Sequence, residues 1–478
     1  MGWLRAPDYW LSRLLFERSL AAIYVIAFVV AANQFPALLG ERGLLPAPRF
    51  LAMVPFRQAP SLFHLHYSDR FLRGLSWAGV ALAASLVAGV PQSGPAWAPA
   101  LAWLALWVAY VSILNVGQVF YAFGWESLLV EAGFFAIFLG PARAYPPTLV
   151  LWLLRWLLFR LEFGAGLIKL RGDPCWRSLT CLFYHHETQP MPNPLSWYFH
   201  HLPKAVHRME VVGNHVAQLV VPFGLFAPQP IAGVAALVVI VHQSWLVVSG
   251  NFSWLNVITI TLAFAVLDDH QIGHLLPFHH GALSPLPAWY AAVVIAFGVL
   301  VVALSYWPLR NLMSRNQLMN ASFNRVHLVN TYGAFGSITR ERYEVVIEGT
   351  DAPELSPQAE WKEYEFKGKP GDPRRRPPQV APYHLRLDWL MWFAAMSWPG
   401  EHRWILALGR KLLEGDRPTL KLLRHNPFRE RPPTFLRASL YRYRFSNRRQ
   451  RKETGAWWAR TWIGEYLPPT RLDDQARA

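Results

Sequence analysis

The chain has 478 residues, 53% of them hydrophobic, and a formal net charge of +16. Its apolar residues gather into runs long enough to cross a bilayer, which takes about 20 residues each, and this excludes an ordinary soluble globule. Much of the positive charge falls after residue 310, where basic residues alternate with aromatics in strand-like order behind a membrane region. That pattern points to membrane lipids rather than nucleic acid as a partner.

Residues 1–18 carry Arg5, Arg13 and Arg18 and lead into a first span near 19–34. Glu17 and Arg18 stand at its start and no cleavage site follows, so it reads as a retained anchor. Further spans are predicted near 75–90, 97–116, 127–139, 148–170, 205–226, 231–248, 255–267 and 288–307. Together they make an α-helical polytopic membrane bundle of about nine spans over residues 1–310. An odd count places the termini on opposite sides. The arginines between 42 and 73 would, by the positive-inside rule alone, put the amino terminus outside.

Residues 311–478 read as a separate, basic, β-rich domain. Strand-like Tyr, Val and Ile occupy 333–350, and 360–366 and 435–445 alternate as half-buried strands do. Residues 367–382 form a Pro/Gly/Arg loop, 389–398 are dense in aromatics, and 404–413 suit a short helix. The expected fold is a β-sandwich or jelly-roll-like soluble domain with a helical insertion.

The stretch 171–204, between the fifth and sixth predicted spans, is the centre of the chain. It holds Asp173, Arg177, His185, His186, Glu187 and both cysteines, so it must leave the hydrocarbon or line a wet cavity. In the span before it, Arg155, Glu162 and Lys169 recur every seven residues and return to nearly one azimuth of a helix. After it, His207, Glu210, Asn214 and Gln218 form a second stripe at spacings of three, four and four. Buried charges in membrane helices are costly and mark functional interiors. Two stripes flanking one polar loop therefore predict an intramembrane polar cavity of Arg155, Glu162, Lys169, His207, Glu210, Asn214 and His242, which Gln243, Asn256, Glu126 and Glu131 could join. Interhelical hydrogen bonding accounts for any one Asn, Gln or His equally well; the clustering is what argues for a site. Arg155 and Lys169 also lie near helix ends, where long side chains snorkel.

Cys175 and Cys181 leave three readings: a local disulfide in an oxidising compartment, free buried thiols, or a zinc site with His185 and His186. Their spacing matches no usual zinc pattern, so no metal is expected. No Gly-rich phosphate loop, Ser-His-Asp order or His-Glu-x-x-His motif is present. If the cavity does chemistry, Lys169, His185 and Glu187 are the candidate catalytic groups. A desolvated lysine can act as a base.

The run FGAGLIKLRGDPCWRSLTCLFYHHETQPMPNPLSWYFHHLP (163–203), with HRMEVVGNHVAQLVVPF (207–223), SGNFSWLN (249–256), RYEVVIEGT (342–350), KPGDPRRRPPQVAPYHLRLDWLMWFAA and NPF (426–428), resembles the lipase maturation factor family. The resemblance implies a multispanning protein of the endoplasmic reticulum membrane in animals, needed for certain secreted dimeric lipases to fold and assemble. It puts the amino terminus in the cytosol, with the loop 171–204 and the C-terminal domain lumenal, against the arginine tally. Long segments translocate with little regard to charge. Ala, Arg and Trp richness suits a bacterial member, in the inner membrane with the same parts periplasmic. The implied partner is an immature secreted lipase, met by a client-binding loop through Trp176, His186, Gln189 and Asn193. No cofactor is then expected, although the cavity could hold a lipid or quinone.

A more distant resemblance is to the vitamin K-dependent gamma-carboxylase. Ala165, Gly166, Lys169 and Leu170 match its Ala-Gly-x-x-Lys-Leu stretch, whose lysine deprotonates reduced vitamin K. This implies, as the alternative, a membrane enzyme acting on a lipophilic cofactor or protein substrate. The residues after 171 depart from the carboxylase, and a maturation or assembly factor rather than an enzyme is the favoured expectation.

Overall fold

A computed structural model describes residues 2–274, 276, 278 and 280–472. Residues 473–478 of the expected C-terminal domain lie outside the described residues. Every segment predicted to span is helical, but among the described residues five helices are long and apolar enough to cross a membrane. They are Pro7–Leu39, Asp69–Ala88, Trp97–Asn115, Ile231–Ser249 and Ala288–Met313. The other four predicted spans differ for visible reasons. Gly124–Ala136 and Leu255–Phe264 run for only 13 and 10 residues. Thr148–Arg171 has 24 residues but carries Arg155, Arg160, Glu162 and Lys169. Residues 204–224 are interrupted by a π-helical turn at Val216–Val220, beside Pro222, which has no N–H to continue an α-helical ladder.

Trp10–Leu39 is the central strut. Phe16, Leu20, Tyr24, Phe28 and Phe35 are all fully buried and share one broad face that packs into the bundle, while Ala22 and Asn33 on the opposite face are exposed. Two glycines let helices close on it. A Cβ at Gly79 would stand 2.7 Å from the Phe28 ring, and Gly133 packs under the Tyr24 hydroxyl, which donates to the Leu129 carbonyl at 3.1 Å. The Asp69–Ala88 helix starts where the Ser68 hydroxyl accepts the Phe71 N–H at 3.1 Å and stops at Gly89, at φ +82°.

The C-terminal part is built on one antiparallel sheet. Strands β1 (Arg342–Thr350), β2 (Lys362–Glu363), β5 (Phe435–Phe445) and β6 (Trp458–Thr470) lie in the order β2-β1-β5-β6. A separate ladder joins β3 (Glu365–Phe366) and β4 (Leu423–His425). In the central pair Val345 faces Leu440 and Ile347 faces Ala438. The expected jelly roll is not what covers this sheet. On one face Val345, Ile347, Leu436 and Ala438 join the main apolar core, together with Trp389 and Met391 of the Arg386–Ala394 helix. On the other, Val346, Tyr443, Phe445 and Trp458 pack with Trp197, which comes from the loop 171–204. Each face thus finds an apolar partner without a second sheet.

Buried ions join the two parts. Glu126 accepts from Arg386 at 2.8 Å and from the Tyr110 hydroxyl at 2.6 Å, with His384 at 3.3 Å. Gln34 donates to the His384 carbonyl at 2.7 Å and accepts the Arg386 N–H at 3.0 Å. Glu131 pairs with Arg160 and accepts from Tyr332 at 2.7 Å. A buried charge survives only when paired and hydrogen-bonded, which both glutamates achieve.

Candidate functional site

A cavity of about 660 Å³ opens where the loop, the helices on either side of it and the C-terminal part meet. Two helices supply its polar wall. From Thr148–Arg171 come Glu162 and Lys169; from the helical run 204–224 come Glu210, Asn214 and Gln218, the last on the π-helical turn. Lys169 donates to the amide oxygens of Asn214 at 2.9 Å and Gln218 at 2.7 Å, and its ammonium stands 5.1 Å from the centre of the Trp176 ring. Glu162 accepts from Gln218 at 3.1 Å and from Gln243 at 2.6 Å, and Asn256 donates to Gln243 at 2.7 Å. One network of six residues therefore links four helices, Thr148–Arg171, the run 204–224, Ile231–Ser249 and Leu255–Phe264. Lys169 thus gives two N–H groups to amide oxygens and rests its amine against an aromatic face.

The chemistry this wall offers is recognition of a negatively charged or hydrogen-bonding group on an otherwise apolar molecule. Leu246, Phe252, Phe335, Trp389 and Trp392 supply the apolar surface, in the mixture usual for small-molecule sites. Among the polar groups, His242 has neither ring nitrogen hydrogen-bonded.

Of the predicted cavity residues, Glu162, Lys169, Glu210, Asn214 and His242 line this space, and so do Gln243, Asn256 and His185. Arg155 does not. Fourteen residues of helix separate it from Lys169, about 21 Å at 1.5 Å per residue. Its guanidinium donates to the Leu225 carbonyl at 3.2 Å and the Tyr9 hydroxyl at 3.0 Å. Glu126 and Glu131 are occupied by Arg386 and Arg160. His207 stands behind the wall, 2.9 Å from Glu210.

Glu187 faces the sheet rather than the cavity. It accepts the Phe445 N–H at 2.7 Å and lies 3.6 Å from His200. Burial raises its pKa, and the Phe445 N–H opposes that shift. Burial pushes His185 down to about 3, so its ring is neutral. Glu187 therefore does not face Lys169, whereas His185 lines the cavity.

Cys175 and Cys181 are joined in a disulfide, with their Cα atoms 4.8 Å apart, which leaves no thiolate for the zinc reading. Beside them Asp173 caps the Pro174–Arg177 turn by accepting the Cys175 N–H at 2.9 Å. Arg340, at 2.7 Å, holds the Asp173 carboxyl below its ordinary pKa.

The four residues expected to meet a client are all buried. Trp176 donates to the Phe335 carbonyl at 2.9 Å. Gln189 donates to Ser196 at 2.9 Å and to the Ser249 carbonyl at 3.1 Å, and Asn193 donates to the Val248 carbonyl at 3.0 Å. His186 forms cavity wall. Their side chains shape the loop from within; its exposed positions include Arg177, Ser178 and Lys204, and the large apolar ones among them are Leu195 and Tyr198. Sequence reasoning missed the C-terminal wall of Trp389, Trp392 and Phe393. The aromatic density of 389–398 was the signal, but nothing in it says which element it faces.

A family profile described as the lipase maturation factor transmembrane domain matches residues 11–274, and one described as the lipase maturation factor C-terminal domain matches residues 328–468. Lipase maturation factor 1 of Mus musculus is 43% identical, over 98% of this chain and 89% of its own length. The Homo sapiens protein of the same name is 43% identical, over 98% and 90%. Lipase maturation factor 2 of Homo sapiens is 30% identical, over 97% of this chain and 83% of its own. No solved structure matches the chain.

Proposed function

The chain belongs to the lipase maturation factor family, and from that premise we propose that it is a membrane-held platform assisting secreted lipases to fold and assemble. The loop 171–204 and the C-terminal part face the exocytoplasmic side, lumenal in an animal cell and periplasmic in a bacterium. The disulfide Cys175–Cys181 supports that side, because such bonds persist in oxidising compartments.

The observation that carries the reading is the fusion of loop and sheet into one surface. Arg342 of β1 donates to the carbonyls of Glu187 at 3.1 Å and Pro190 at 3.0 Å, and also to that of Gln189. Trp197 donates to the Ser446 carbonyl at 2.8 Å. Next to this joint, β6 is an edge strand that exposes Trp462 and Ile463, 59% and 45% accessible. An unpaired edge with exposed aromatic and branched residues can take another strand in β-addition, and a partly folded lipase offers such strands.

A photo-crosslinking amino acid placed at Trp462 or Leu195, in cells secreting a lipase, tests this. Immature lipase should be captured from both positions. Capture of no secretory protein from either position would remove the platform reading.

A second reading rests on the cavity. Its apolar wall and the Lys169 amine suit a lipid or quinone with a polar head, bound as a structural ligand or as the substrate of a membrane enzyme distantly akin to the gamma-carboxylase. The two amide acceptors fix the position of the Lys169 amine in the cavity wall, as a binding site for a polar head requires. Native mass spectrometry of the purified chain, with and without Lys169→Gln, distinguishes a retained lipid from an empty cavity.

A further inference from the structure

We propose that His186, His207 and Glu210 form a zinc-binding site at the base of the loop, with its open coordination position facing the cavity. His207 and Glu210 lie three residues apart on the Lys204–His215 helix, and His186 comes from the Leu182–Thr188 helix of the loop. One donor atom from each lies within 4.8 Å of the others. A tetrahedral zinc ion at about 2.0–2.1 Å from its ligands sets them roughly 3.3 Å apart, a closure within reach of side-chain rotation.

The His186 ring packs against Phe199 and His207 but makes no hydrogen bond. It is 3% exposed, yet neither ring nitrogen has a hydrogen-bond partner, and Nε2 stops 3.9 Å from Glu210 Oε2, beyond hydrogen-bond reach. A buried polar group without a partner is costly and calls for a missing one.

His207 poses the complementary problem. Its Nδ1 faces Glu210 Oε2 at 2.9 Å and its Nε2 faces the His200 carbonyl at 3.4 Å. A neutral imidazole has one N–H and cannot donate to both. An imidazolium paired with Glu210 would satisfy both, and so would a neutral ring with a cation between Nδ1 and Glu210 and its single proton on Nε2. The second oxygen of Glu210 accepts the Trp245 indole N–H at 2.9 Å. Ring N–H to carbonyl and indole N–H to carboxylate are the supports that orient metal ligands.

Two imidazoles and one carboxylate are a zinc ligand set, and three protein ligands leave a fourth position for water or a bound group. His186 and Glu210 line the cavity while His207 stands behind them, so that position opens inward. The site depends on these residues alone and not on which client the protein serves.

The full-length chain, purified in detergent from zinc-supplemented cells and gel-filtered, should carry about one zinc per chain by elemental mass spectrometry. The double variant His186→Ala/His207→Ala should lose most of it at unchanged elution volume. Trp245→Phe keeps all three ligands but removes the N–H that orients Glu210, and should weaken zinc binding about tenfold in competition with a chelator. Cobalt in place of zinc should give the intense visible bands of tetrahedral coordination in the wild type and not in the double variant. Wild type with less than about a tenth of a zinc per chain overturns the site, as does equal zinc content in wild type and double variant. Should the double variant not fold, Trp245→Phe decides, and unchanged affinity there overturns the site.

Discussion

Arg342 is 1% exposed on β1, paired with Glu344 at 2.5 Å while its remaining N–H groups reach three loop carbonyls. Arg342→Ala leaves those carbonyls without a donor and Glu344 with Lys369 alone, 2.9 Å away. Breaking such a buried ion pair costs roughly 3–5 kcal/mol, and the melting temperature of the purified chain should fall accordingly. Arg342→Lys should recover only part of the loss, since a single ammonium cannot replace the guanidinium fork. A second expectation concerns pH. Burial holds His327 and His384 down to about 4, from an ordinary value of 6.5. The unfolded chain therefore takes up their protons at a higher pH than the folded chain does. Their contribution to stability is complete above about pH 6.5 and is lost as pH falls toward 4. Chemical-denaturation midpoints measured across that interval should decline, and His384→Gln should flatten part of the decline. At this scale the sequence was informative about polarity and silent about partners. The heptad of Arg155, Glu162 and Lys169 was legible, but not that Arg155 would end two turns of helix too far away. Glu187 read as a reactive group because the donor it accepts from, the Phe445 N–H, lies 258 positions along the chain.

The short disulfide element and the edge strand carry the next two expectations. Cys175 and Cys181 are six residues apart, so opening the bond to a pair of serines releases a small loop and should cost about 2 kcal/mol. Asp173, already tied to Arg340 and the Cys175 N–H, should keep the turn partly ordered. The variant is expected to fold with a lower melting temperature rather than fail. On β6, Trp462→Ala lies on exposed surface and should change stability by less than about 0.5 kcal/mol, while client crosslinking from the neighbouring Ile463 should drop severalfold. Helices were legible at this scale because apolar runs are local. The strand at 435–445 was legible for the same reason, through alternation, whereas the stretch read as strand-like at 333–350 is a strand only over Arg342–Thr350. What covered the sheet was not. Trp197 and Trp389 come from distant segments and fill the two faces that a second sheet would have filled in a jelly roll. The π-helical turn that presents Gln218 to Lys169 and Glu162 has no periodic signature either.

In the whole molecule, one apolar core runs from the first helix through the bundle to the C-terminal sheet, and the Glu126–Arg386 ion pair with the buried His384 pins the same junction. A loop and a sheet anchored this way present their outer surface as a unit held at the membrane. A platform that receives a folding client requires such a unit. The family was legible from long motifs, whereas this coupling was not, because it is made by pairs such as Gln34 and Arg386, 352 positions apart. The most direct measurement is activity per mass of secreted lipase in cells that lack their own maturation factor. Wild type, Lys169→Gln and Arg342→Ala would be compared at equal membrane abundance. The platform account predicts that wild type restores specific activity, that Lys169→Gln retains most of it, and that Arg342→Ala loses most of it. No restoration by wild type, or full restoration by Arg342→Ala with loss in Lys169→Gln, would contradict it.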